Sequence, residues 1–122
     1  MITKGELEEI LSTLKDRAEL DEVALVTRDG LLVASSTSPQ ADFHEEVFAA
    51  MSATVLASAE TAMQEMKKGI PSWVVVVSDE ARLVAMGAGE KALLVGIAGS
   101  GVELGVIITE IETSANRLKK ML

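Results

Sequence analysis

Trp73-Val74-Val75-Val76-Val77-Ser78-Asp79-Glu80-Ala81-Arg82-Leu83-Val84-Ala85-Met86-Gly87-Ala88-Gly89-Glu90-Lys91-Ala92-Leu93-Leu94-Val95 is a set of three apolar runs parted by two short polar or glycine-rich links. The runs are short and rich in valine, the composition of strands rather than helices. Ser78-Asp79-Glu80 and Gly87-Ala88-Gly89-Glu90 cannot span a parallel crossover, which needs about a dozen residues or more, so the three strands are antiparallel neighbours. Val74 to Val77 and Ala92 to Val95 are apolar at consecutive positions, which implies a sheet covered on both faces. Pro71, at the mouth of the first run, lacks an N–H to give a ladder and places that strand at an edge.

Upstream lies a long helix, expected from about Phe43 to Lys68, stopped by Gly69 and started by a capping box of Asp42 and Glu45. It has two apolar faces. At about 100° per residue, Phe48, Met51, Val55, Ala59, Ala62 and Met66 form a broad stripe expected to lie on the sheet. Ala49, Ser52, Ala53, Leu56, Glu60 and Met63 fall away from it and are small or apolar where a solvated helix carries charge. This second set is expected to meet a partner, with small side chains letting two helix axes approach and Leu56 and Met63 acting as knobs.

Further upstream, Thr3 and Glu6 make a capping box with Ile2 and Leu7 placed as a hydrophobic staple, and Leu7, Ile10, Leu11, Leu14 and Ala18 then recur at helical spacing. Glu22 to Arg28 and Leu31 to Ser36 read as the arms of a hairpin turned by Asp29-Gly30. Ser38-Pro39-Gln40 breaks the chain before the long helix. Downstream, Ser100 with Glu103 is expected to start a last helix bearing Leu104, Ile108, Ile111, Ala115, Leu118 and Leu122. The order is α-β-β-α-β-β-β-α, a five-stranded antiparallel sheet sandwiched by helices, of the α/β (α+β) class. All 122 residues make one domain, 1–122.

With 48% hydrophobic and 25% charged residues, the chain has the composition of a folded domain. Its formal charge of −8 repels phosphates and anionic lipid, which argues against nucleic acid and bare membrane as partners. The absence of cysteine removes disulfides, thiolate chemistry and cysteine-ligated zinc, and fits a reducing cytoplasmic setting. The first residues lack the apolar run of a signal peptide, and no stretch reaches the roughly twenty apolar residues of a membrane span.

The motifs that invite chemistry do not complete it. Gly96, Gly99, Gly101 and Gly105 miss the dinucleotide register, since the third position counted from Gly99 is Leu104. Lys91 opens a strand instead of the helix that a phosphate loop requires. His44, the only imidazole, has no cysteine and no elbow serine to work with, and the carboxylates are scattered over helix faces. Neither Arg28 nor Arg82 lies in a pattern that singles it out as an arginine finger. With aromatic residues at 2%, a ligand pocket between helix and sheet is also poorly supplied. No catalytic, cofactor-binding or metal-ligating residue is therefore expected.

What remains is surface. An oily edge strand aggregates unless it is paired or covered, and a second copy running antiparallel would close both open edges at once. The expected dimer interface is Trp73, Val74, Val75, Val76, Val77, Leu56 and Met63. The expected partner platform is Ala49, Ser52, Ala53, Leu56, Glu60 and Met63.

The element order, the Asp29-Gly30-Leu31 hairpin, the alanine-rich middle helix and Leu104-Gly105-Val106 leading into the last helix resemble the roadblock / dynein light chain domain family, over about Thr3 to Leu122. The resemblance implies a profilin-like α/β/α sandwich, homodimerisation through the third strand and middle helix, and no enzyme activity. It further implies a small Ras-like GTPase as partner, as in prokaryotic cell-polarity regulators. The alternative it implies is a nucleotide-independent scaffold or motor light-chain-like subunit.

Overall fold

A computed structural model describes residues 2–38 and 44–122 of the chain. Among these residues the elements are α1 (Lys4–Arg17), β1 (Glu22–Thr27), β2 (Leu32–Thr37), α2 (Glu45–Glu65), β3 (Val74–Val77), β4 (Ala81–Gly87), β5 (Ala92–Gly99) and α3 (Leu104–Met121). The order is the expected one. The strands form a single antiparallel sheet in the spatial order β2-β1-β5-β4-β3, which puts β3 at one edge and β2 at the other.

Local chemistry accounts for the element ends. Thr3 Oγ1 accepts from the Glu6 N–H at 3.1 Å and its hydroxyl donates to the Glu6 carboxylate, so one of the free N–H groups at the start of α1 is satisfied. At the hairpin, Gly30 takes φ +92°, and a Cβ there would stand 3.2 Å from Ala50 Cα, so this glycine supplies both the turn and the close seat of α2. The chain leaves α2 through Lys67 and Gly69, both at positive φ. Asp42 lies outside the described residues, and with it the capping box expected for α2. The last helix departs from expectation: its N-cap is Glu103, because the chain is still turning at Ser100 and Gly101, where the Val102 N–H bonds back to Gly99 C=O at 3.2 Å.

Alternation along the strands feeds two apolar layers. Val23 and Leu25 of β1, Val84 and Met86 of β4 and Leu94 of β5 pack under α1 and α3, with Leu7, Leu11, Leu14, Ile107, Ile111, Ala115 and Leu118 closing that layer. Ala24, Val26, Ala85, Leu93 and Val95 face the other way, under α2. The expectation of strands covered on both faces holds for β5 but not for β3, where Val74 and Val75 are half-buried and Val76 and Val77 exposed because the strand lies at the sheet edge.

The middle helix is seated the other way round from its expected orientation. Ala49, Ser52, Ala53 and Leu56, expected on the partner platform, are buried against this chain's own sheet, Leu56 with 2% exposure. Met51, Val55 and Met66, expected in the core, are exposed, and Phe48 is only half-buried. The physical reason is side-chain size. The sheet under α2 is floored by Ala24, Val26, Ala85, Leu93 and Val95, and the small side chains of Ala49, Ser52 and Ala53 let the helix settle onto it, whereas Met51 and Met66 would hold it off. Helical periodicity reports both apolar faces and does not choose between them.

Candidate interaction surface

The outward face of α2 is set by the same spacing that buries its inner face. Val47, Met51 and Val55 recur every fourth residue on one stripe, which Ser58, Ala62 and Met66 continue, and positions 47–59 carry no charged residue at all. Met51 is 57% and Met66 69% exposed, values that a solvated helix normally reserves for lysine or glutamate. Beyond the helix, Ile70 and Trp73 are exposed on the link to β3.

β3 extends this apolar surface to the sheet edge. It pairs on one side only, through Val74↔Ala85, Val75↔Val84, Val76↔Leu83 and Val77↔Arg82, leaving its outer N–H and C=O groups without a strand. Val74 and Val75 are half-buried, but Val76 and Val77 are exposed, Val77 by 57%. β2, at the opposite edge, ends in Ser35-Ser36-Thr37 and lies against α1. One edge is thus polar over half its length and packed against α1, and the other is all valine with Val76 and Val77 exposed.

The expected interface residues therefore divide. Trp73, Val76 and Val77 stand on the open surface, Val74 and Val75 lie partly beneath it, and Leu56 belongs to the core. Met63 is half-buried. Glu60, expected on the platform, is engaged within the chain: Nη1 of Arg28 donates to both of its carboxylate oxygens, at 2.9 and 3.0 Å, and Nη2 donates to Gly89 C=O at 3.2 Å. Gly87 makes room for this clasp, since a Cβ there would meet Arg28 Nη2 at 2.7 Å. Arg28 thereby ties β1 and the β4–β5 turn to α2. Arg82 is likewise occupied, donating from Nη1 to Ser78 C=O at 2.7 Å and Ala81 C=O at 3.1 Å.

Helical spacing and the edge argument miss several surface residues: Val47, Met51, Val55, Met66 and Ile70, together with Leu31 at the hairpin tip. The uncharged run at 47–59 is the signal that points to those on the helix. His44 is exposed at the N-cap of α2 and makes no side-chain cap bond. Among the described residues no group of three or more histidine, cysteine, aspartate or glutamate side chains is placed to hold a metal ion, and no helix is long and apolar enough to cross a membrane.

The geometry is thus a helix-covered five-stranded antiparallel sheet with one bare edge beside an uncharged helix face. The chain belongs to the Roadblock/LC7 domain family, whose model matches residues 6–98. The match ends within β5, so α3, which the resemblance was expected to include, lies beyond it. Among solved structures, the fold is similar to MglB in a tetrameric arrangement, with TM-score 0.89 and 19% identity over 97% of this chain and 88% of that one. It is similar to Myxococcus xanthus MglB at TM-score 0.87 and 19% identity, covering 95% and 94% of the two chains. Acanthamoeba castellanii profilin IA is a more distant likeness, TM-score 0.63 and 17% identity over 93% of this chain and 97% of that one, and makes the fold profilin-like. No curated protein sequence matches the chain.

Proposed function

We propose that this chain is a non-enzymatic homodimeric adaptor that docks a small Ras-like GTPase. The observation that carries the reading is the continuity of two unsatisfied surfaces, the outward stripe of α2 and the open all-valine edge of β3. Two copies related by a two-fold axis would pair their β3 strands antiparallel and bring their α2 helices side by side, closing both edges and covering Met51, Val55, Met66, Trp73, Val76 and Val77. The platform offered to a partner is then built from exposed residues at the start of the helix pair, Val47 with Leu31 of the hairpin, in place of the buried Ala49, Ser52, Ala53 and Leu56.

The GTPase enters through family membership, and self-association is in keeping with the tetrameric arrangement of one MglB structure. Such an adaptor acts by preferring one conformation of its partner's switch segments. Arg28 and Arg82 are both spent on contacts within the chain, which favours this mode over insertion of an arginine into the GTPase site. The same observation supports the alternative of a nucleotide-independent scaffold. Titrating the protein against small GTPases of its own organism, loaded with GDP or a GTP analogue, separates the two. Tighter binding to one nucleotide state supports the regulator, equal binding supports the scaffold, and no binding to any of them removes the GTPase.

A further inference from the structure

Glu22 is fully buried, at 0% exposure, although it carries a carboxyl group. It opens β1, between Thr37 of β2 and Ile97 of β5, and strand alternation sends its side chain to the α2 side of the sheet. Its Oε2 lies 2.5 Å from Thr37 Oγ1, and the same hydroxyl lies 2.9 Å from Oε1 of Glu45, the first residue of α2. Among the described residues, Glu22 Oε1 has no hydrogen-bond partner.

The protons do not suffice for two carboxylates. A threonine hydroxyl has one hydrogen and can donate to only one of them. With both glutamates ionised, the second contact would set lone pair against lone pair, and a buried anion would be left with a bare oxygen. A proton on Glu22 Oε2 removes the clash and the buried charge together, leaving Oε1 a neutral carbonyl oxygen. Glu22 donates to Thr37, Thr37 donates to Glu45, and the remaining charge sits at the N-terminus of α2, where the helix dipole favours it. The opposite arrangement, with Glu45 neutral, would strand the charge on the buried member. A bridging cation fits less well, because oxygens sharing a metal ion stand further apart than 2.5 Å.

The geometry points to a proton-operated latch: neutral Glu22 relays a hydrogen bond through Thr37 to Glu45 and so holds the first turn of α2 on the sheet, and loss of the proton releases it. The turn has no side-chain cap from His44, and this relay adds a polar tie to the strands beside the apolar seat of Phe48 and Ala49. Burial is the main influence on the Glu22 carboxyl and holds it above the usual carboxylate range. A Thr37 hydroxyl donating to the ionised carboxylate would oppose this, Glu45 of α2 adds to it by repulsion, and the Val23 N–H and Lys15 of α1 oppose it more weakly. Thr37 of β2 and Ile97 of β5 bring no charge.

Because the folded chain holds the Glu22 proton more tightly than the unfolded one, the stabilisation this proton brings is fully present below the ordinary carboxyl range and is lost as pH rises through the raised folded value. The first turn of α2 should therefore loosen toward higher pH. The latch lies within one chain and stands whether or not two chains associate.

The test combines ¹³C-carboxyl NMR titration of the unmodified protein with amide exchange at residues 45–49, corrected for the intrinsic exchange rate, in the unmodified chain and in Glu22→Gln. Glu22 should titrate above the other glutamates, with first-turn protection falling by up to about tenfold per pH unit through that interval. Glu22→Gln keeps a donor for Thr37 and cannot ionise, so its profile should be flat. Titration of Glu22 alongside the surface glutamates, or an equally pH-dependent profile in Glu22→Gln, would overturn the latch. Should that variant not fold, the titration and the exchange profile of the unmodified chain decide the question by themselves.

Discussion

The two faces of α2 are alike in polarity and opposite in fate. The inner face, Ala49, Ser52, Ala53 and Leu56, is buried on the sheet, and the outer face, Val47, Met51, Val55 and Met66, is open. Ranked by apolar bulk alone, their fates would be exchanged, since the outer face holds the larger apolar groups. The difference teaches that over a floor of Ala24, Val26, Ala85, Leu93 and Val95 the fold selects for fit, and the bulkier side chains are left on the outward face.

Variants on the two faces should therefore fail differently. The largest effect is expected for Leu56→Ala, which leaves a cavity in the α2 layer and should lower the unfolding free energy by about 2–5 kcal/mol in a denaturant titration. A variant that loses self-association at full stability would place Leu56 in the interface after all. Next comes the role of side-chain size. Ala53→Leu should lift the helix from the sheet at a cost of about 1–3 kcal/mol, while Ala62→Leu on the outward side should change stability by less than about 0.5 kcal/mol. Equal costs at the two positions would break the comparison.

Met51→Asp puts a charge on the outward stripe, and the dimer dissociation constant should rise about tenfold to thirtyfold, roughly 1.4–2 kcal/mol, with the circular dichroism of the folded chain unchanged. Sedimentation velocity across a concentration series reads this directly. The smallest effect is expected for Arg28→Ala, which unclasps α2 from β1 and the β4–β5 turn; the pair is partly exposed and screened, so the loss should be about 1 kcal/mol and shrink in high salt. A salt-independent loss would mean that packing of the arginine stem, not its charge, holds the helix end.

Much of this architecture is legible without coordinates. Turn chemistry at Asp29-Gly30, the staple around Thr3 and the doubly apolar run of β5 each follow from local rules and lead to the element order and the sandwich, while Pro71 gives the edge position of β3. The seat of α2 cannot be read this way. Periodicity locates apolar faces, but which one turns inward depends on the shape of a sheet assembled from residues distant in the chain. The same limit hides the Glu22–Thr37–Glu45 relay, whose members come together only through strand register and the docking of α2. The exposed apolar surface is half legible: exposure of Trp73, Val76 and Val77 follows from the open edge, while helical spacing by itself sends Met51, Val55 and Met66 to the core.

Sedimentation equilibrium of the unmodified chain at micromolar concentrations bears most directly on the central claim, that a second copy covers the outward face of α2 and the free edge of β3. A molar mass twice that of the chain, reduced to the single-chain value in Val76→Lys, is the predicted result. A monodisperse single chain at every concentration would contradict it.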